Sequence, residues 1–192
     1  MSKTLVIAEK PSVAADIAKA LGKFEKNADY FENDQYVISS AVGHLYEIQP
    51  VEGYEPARGK WDFFPSLPPT FELKVIEKNA GRAAVLRKLL KRKDVGDVIN
   101  ACDAGREGEL IFRNIARANH SRLPLRRLWL QSMTTDAIRT AFASLRSDAE
   151  LQPLADAALS RSEADWLVGI NATRALTKFN SCLLYTSPSP RD

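Results

Sequence analysis

Three acidic residues in this chain have types and positions suited to chemistry on a phosphate. Glu9 follows the apolar run TLVIA, Asp103 follows VINAC, and Glu107 comes four residues later, across Gly105. If the two runs are neighbouring strands of one sheet, their ends bring the three carboxylates together. Clustered carboxylates repel one another and take up a proton or a cation. Magnesium takes oxygen ligands octahedrally and uses one or two carboxylates beside water and phosphate. Such a set suits a metal used on a phosphodiester. The plainer alternative pairs Glu9 with Lys10, and Glu107 with Arg106, as surface ions. Spacing alone does not choose between the two.

Other residues have the chemistry to hold nucleic acid. His44 follows the run YVISSAV, where it can contact phosphate beside Glu9 or simply cap a turn. Trp61 lies in ARGKWDFF, and the interleaving of Arg58 and Lys60 with aromatics suits a single strand held by charge and base stacking. The same tryptophan could equally pack under a loop. Arg161 and Asp165 are one helical turn apart and can pair along a helix. Leu167 and Val168 read as core, and Cys102, on a buried strand, as inert packing. Five arginines, Arg113, Arg117, Arg122, Arg126 and Arg127, fall in one stretch with no acid between them. A second basic run covers Arg87, Lys88, Lys91, Arg92 and Lys93. Clustered basic charge can neutralise phosphates, with counterion release driving binding, or can be an ordinary solvated helix face.

Composition sets the frame for these residues. The chain has 192 residues, a net charge of +3 and 45% hydrophobic residues, ordinary for a globular protein. No apolar run reaches the length of a membrane span. A strand-like segment begins almost at Met1, leaving no room for a signal peptide, so the cytoplasm is the expected compartment. Two cysteines, Cys102 and Cys182, suggest neither a disulfide framework nor a zinc quartet.

The elements that must position the acids follow from pattern. Strands are expected over residues 4–10, 36–42, 71–76, 95–103 and 125–130. Helices are expected after Pro11 with a stop at Gly22, from a cap at Asn79 to about Lys93, over about 106–119, and from a cap at Thr134 or Thr135 to about Leu145. Residues 50–69, rich in Pro, Gly and aromatics, read as a loop or extended excursion. Strands alternating with helices indicate an α/β sheet with parallel pairs, whose sites lie beyond the carboxyl ends of the strands. From Glu150 the pattern turns wholly helical, which places a domain boundary near Ser147.

IAEKPSVA, followed by CDAGREGELIF, resembles the two halves of the Toprim fold, shared by type IA and type II topoisomerases, bacterial primases and some nucleases. IAEKPS together with GHL, RLWLQSMTTDAI and SRSEADWLVGINATRALT is similar to topoisomerase III, a type IA DNA topoisomerase. The resemblance implies a Rossmann-like Toprim sheet flanked by helices over residues 1–147, and the start of an all-helical catalytic region over 148–180. It implies that Glu9 is a metal ligand or general acid, that Lys10 stabilises transition-state charge, and that Asp103 binds Mg2+ with help from Glu107. It makes Arg106, Arg161, Trp166 and Arg174, with His44 and Trp61, candidates for contact with single-stranded DNA. The family motif is usually Asp-x-Asp-x-Glu, and here the middle acid is Gly105, which removes one carboxylate and could serve a turn of positive φ.

The resemblance further implies cleavage, passage and resealing of a strand through a 5′-phosphotyrosine, without ATP. A phenolate is both nucleophile and leaving group in such chemistry. Tyr30, Tyr36, Tyr46 and Tyr54 match no nucleophile of that family, whose tyrosine is expected beyond Phe179. The segment CLLYTSPSPRD reads as the translation of a transposase-based sequencing adapter, so residues 181–192 are expected to be foreign to the fold; a natural Pro/Ser-rich terminus is the alternative. A fragment of a strand-passage enzyme competes with two other readings. One is a different Toprim enzyme, a primase or nuclease, for which zinc-ribbon cysteines are missing. The other is a non-catalytic DNA-binding module.

Overall fold

Side-chain alternation makes the first strand the centre of the molecule. In β1 (Lys3–Ala8), Leu5 and Ile7 point to one face and Val6 and Ala8 to the other, and all four are fully buried. A strand apolar on both faces must be covered by helices on both. The computed structural model describes residues 2–50, 54 and 65–180. In it β1 runs parallel to β4 (Tyr36–Ser40) on one side and to β7 (Val95–Ala101) on the other. The edges are built from β2 (Glu25–Lys26), β3 (Tyr30–Glu32), β8 (Leu125–Arg127) and β9 (Arg146–Ser147), giving the order β2-β3-β4-β1-β7-β8-β9. A separate two-stranded sheet pairs β5 (Tyr46–Pro50) with β6 (Phe71–Val75).

Helices cover both faces. On one, α1 (Pro11–Leu21) and α4 (Thr135–Ala143) pack Ala14, Ile17 and Ile138 against Val6, Ile38 and Ile99. On the other, α2 (Ala80–Leu90) and α3 (Arg106–Ala118) pack Leu86, Ile111, Phe112 and Ile115 against Leu5, Val37 and Val98. Each fully buried Leu, Ile or Phe contributes about 1.5–3 kcal/mol of burial. The crossover helices change face between β1 and β7, so the crevice beyond those two strand ends is the topological switch point of the sheet.

The local signals act as the sequence suggests at most ends. Pro11 opens α1, where its missing N–H costs no helical bond, and Gly22 ends it at φ 129°. Thr134 caps α4 by accepting from the Ala137 amide at 3.3 Å. Asn79 differs: its side chain does not cap α2 but donates to the His44 carbonyl at 2.7 Å. The strands β2, β3, β5 and β9 were not expected. β2, β3 and β9 are only two or three residues long and exist because a neighbouring edge is there to pair with; β5 exists by pairing with β6.

The chain forms two compact units. The first comprises Met1–Glu47 and Leu73–Leu159; the second comprises Ile48–Glu72 and Ser160–Asp192. The long helix α5 (Asp148–Asn180) begins in the first and ends in the second. Within the second unit, Asn171 fastens Ser66 from both sides: it accepts from the Ser66 amide at 2.7 Å and donates to its carbonyl at 2.9 Å. Trp166 stacks edge-on against Phe71 at 5.2 Å. Val168, read as core from its neighbours, is 67% exposed, because α5 turns that side of the helix outward.

Candidate functional site: carboxylates at the switch point

Five of the residues singled out from sequence meet at the ends of β1 and β7. Glu9 follows β1 directly. Burial takes it largely out of water, and its Oε2 accepts from the Asp103 amide at 3.4 Å. Lys10 Nζ lies 3.8 Å from Glu9 Oε1 and 3.4 Å from Asp103 Oδ2, an ammonium held between two carboxylates. Glu107, in the first turn of α3, reaches His44, whose Nε2 lies 3.3 Å from Glu107 Oε1. His44 is placed by its neighbours in the chain. Gly43 takes φ 76°, which favours glycine, and its amide donates to the Glu9 carbonyl at 3.4 Å. The expected pair of Glu107 with Arg106 is replaced by this contact; Arg106 is exposed at the start of α3.

The electrostatics follow from this packing. Burial raises the Glu9 carboxyl above the ordinary carboxylate value, and the charges of Asp103 and Glu107 raise it further. The Asp103 amide and Lys10 oppose the shift without cancelling it. Glu9 thus holds a proton to higher pH than an ordinary carboxyl; Asp103 and Glu107 face water with side chains 54% and 76% exposed. Among the described residues, no three acidic, histidine or cysteine side chains converge enough to enclose a metal ion by themselves. Asp103 and Glu107 nonetheless offer hard oxygen donors in the number that magnesium takes from proteins, with room for water. Burial pushes the Cys102 thiol well above its usual range, which keeps it inert.

Gly105 and Gly108 divide the work of the turn. Gly105 has φ 167° and ψ −179°, an extended conformation open to any residue, and a Cβ there would meet nothing within 4 Å. The positive φ expected of it is absent, so the backbone does not require glycine at that position. Gly108 is the constrained one: a Cβ there would fall 2.1 Å from the Asp103 carbonyl oxygen. It lets α3 pack directly on the Asp103 peptide.

Other candidates lie elsewhere. Trp61 falls outside the described residues. Arg161, Trp166 and Arg174 belong to the second unit: Arg161 is 3.6 Å from Asp165, Trp166 is half-buried against Phe71, and Arg174 is buried. The arginine cluster is largely consumed inside the fold. Arg113 binds Glu109 and Asp148, Arg126 binds Asp97, and Arg127 is buried. Glu109 lies one turn away on the same helix as Arg113, but Asp148 and Asp97 come from other elements, which linear spacing does not reveal. In the second run, Arg92 binds Glu32 and Asp94, while Arg87, Lys88, Lys91 and Lys93 stay exposed.

Sequence reasoning missed Arg127 as a site residue. It ends β8 with a side chain 2% exposed, and donates to the carbonyls of Asn100 (2.9 Å), Cys102 (2.7 Å), Leu128 (3.1 Å) and Asp103 (2.7 Å). Its Nε lies 3.3 Å from Glu109 Oε2, close enough for charge pairing without the alignment of a hydrogen bond. The one hint in the sequence is an arginine beside Leu128 in an apolar strand.

Residues 4–130 match the Toprim domain, and the chain belongs to that family. The chain is similar to DNA topoisomerase 3 of Bacillus subtilis (strain 168), with 46% identity over 95% of this chain and 26% of that protein. DNA topoisomerase 3 of Staphylococcus haemolyticus is also 46% identical, over 91% of this chain and 25% of that protein. The chain thus spans about a quarter of the length of these relatives. The fold is also similar to part of full-length topoisomerase I from Thermotoga maritima, with a TM-score of 0.61 at 23% identity, covering 90% of this chain and 26% of that one.

Proposed function

We infer that the chain is the phosphate- and metal-handling part of an ATP-independent type IA DNA topoisomerase of the topoisomerase III kind. The whole enzyme would cleave one strand through a 5′-phosphotyrosine, pass another and reseal. The observation that carries this reading is the Glu9, Lys10 and Asp103 grouping, in which a largely buried carboxyl with a raised pKa and an ammonium share one strand-end crevice. A carboxyl that keeps its proton can protonate the oxygen leaving the phosphate. Lys10 can neutralise charge that develops on the phosphoryl oxygens. Asp103 and Glu107, with Glu9 nearby, would hold Mg2+, which supplies positive charge beside the phosphate. His44 and Arg106 are proposed to contact single-stranded DNA at this crevice; Trp61, Arg161, Trp166 and Arg174 are proposed as further DNA-contacting residues. The cytoplasm is the compartment proposed for it, and no helix among the described residues is long and apolar enough to cross a membrane.

The test is a chimera in which residues 1–180 replace the matching region of Bacillus subtilis DNA topoisomerase 3. Single-turnover cleavage and the binding constant for one oligonucleotide are measured together. Glu9→Gln and Lys10→Ala should slow cleavage while leaving binding nearly intact. Unchanged cleavage in both would leave them as a surface ion pair.

A further inference from the structure

A buried arginine is costly, since taking its charge out of water loses several kcal/mol of solvation before any partner is counted. Arg127 is among the largest fully buried side chains of the protein. Its charge is balanced by Glu109 at 3.3 Å, and Glu109 in turn binds Arg113 at 2.8 Å and accepts from Asn100 Nδ2 at 3.1 Å. An apolar side chain would fill the same space without that cost. What it could not do is satisfy the three carbonyls of Asn100, Cys102 and Asp103 where β7 ends and the chain bends into α3.

Those carbonyls are the point. β7 stops at Ala101, and the next peptides leave the sheet, so the oxygens of Cys102 and Asp103 have no strand partner. Arg127 Nη1 takes the first at 2.7 Å, and Nη2 takes the second at 2.7 Å. A planar fork with several donors in fixed geometry does this; an ammonium cannot reproduce it. Gly108 of α3 also presses on the Asp103 backbone, with room for a hydrogen and not for a methyl group. Asp103 is thus held at its carbonyl by Arg127 and packed against Gly108, while the amide preceding that carbonyl donates to Glu9.

We propose that Arg127 is a positioning residue for the carboxylate site: with Gly108 it clamps the Asp103 peptide and so sets where the Asp103 carboxylate meets a divalent cation. The proposal rests on the reading that Asp103 helps to bind that cation. Residues that orient metal ligands typically cost 10- to 100-fold in affinity when lost, so about tenfold is expected here.

The experiment uses the 192-residue chain and Mn2+ as probe, with free Mn2+ read by electron paramagnetic resonance. Asp103→Asn first tests the underlying reading, and Mn2+ affinity must fall. Arg127→Lys keeps a charge for Glu109 but removes the fork, and Gly108→Ala displaces the same Asp103 backbone by steric overlap. Both should weaken Mn2+ by about tenfold. Arg92→Met, which breaks a remote ion cluster, should destabilise the fold and leave Mn2+ affinity alone. Amide exchange at Asp103 and Ala104 reads the clamp independently of any metal, and should accelerate in Arg127→Lys and not in Arg92→Met. Wild-type Mn2+ affinity and wild-type exchange in Arg127→Lys would overturn the proposal. Unchanged Mn2+ affinity in Asp103→Asn, with exchange still accelerated in Arg127→Lys, would instead overturn the metal reading and leave the clamp standing.

Discussion

Gly108→Ala should unfold this protein at a clearly lower temperature, although the same change three residues earlier should not. An added Cβ at Gly108 would lie 2.1 Å from the Asp103 oxygen, 2.9 Å from its carbonyl carbon and 2.7 Å from its amide nitrogen. All three are backbone atoms, so no side chain can swing aside. Overpacking of this kind costs about 1–3 kcal/mol. Displacing the Asp103 carbonyl also loosens a charge-assisted bond from Arg127, worth about 1.5–3 kcal/mol if broken. Helix propensity works the other way, favouring alanine by about 1 kcal/mol. The net loss is about 2–3 kcal/mol, which for a domain of this size lowers the midpoint by about 4–12 °C. Gly105→Ala meets nothing within 4 Å on an extended backbone, and should change stability by less than about 0.5 kcal/mol. Thermal unfolding followed by circular dichroism, with the two variants side by side, measures the difference. Equal midpoints for the two would refute the close packing of α3 on the Asp103 peptide.

Three further outcomes follow from the charged groups. Glu9 has a raised carboxyl pKa, so folding disfavours its ionised form; the cost is absent below the unfolded value of 4.5 and appears as pH rises through the folded value. Glu9→Gln should therefore raise the melting temperature at pH 7, with the gain fading below about pH 4.5 in a pH series. Glu32 and Asp94 are shifted the opposite way by Arg92, Asp94 to about 2. Arg92→Met should then cost about 1 kcal/mol at neutral pH, and the cost should shrink as the pH falls toward the Asp94 value of about 2; urea titrations at pH 7 and pH 2.5 check the decrease. Glu109→Leu leaves Arg127 buried beside Arg113 without their shared carboxylate, and should cost about 3–5 kcal/mol in the same urea assay. A loss under about 1 kcal/mol would mean that water reaches the pair.

Much of this protein was decided by local pattern. The run LVIA is apolar at every position, which only a doubly covered strand can bury, and Pro11 and Gly22 bound the helix that follows. Those features, repeated around VINAC and its helix, suffice for parallel strands with acids at their ends, and the motifs carried the family with them. Tertiary structure decided the partners. Glu107 turned to His44 rather than Arg106, and Asn79 gave its side chain to the His44 carbonyl rather than to the helix end. The arginines of the acid-free stretch found Glu109, Asp97 and Asp148, two of them on other elements. The reason is physical. Burial along a strand or helix follows a short period that sequence displays, whereas a charged side chain pairs with whatever the fold brings within about 4 Å, from any distance along the chain. The clamp on Asp103 is of that second kind. Arg127 stands 24 residues from the carbonyl it holds, and only the pairing of β8 beside β7 makes them neighbours.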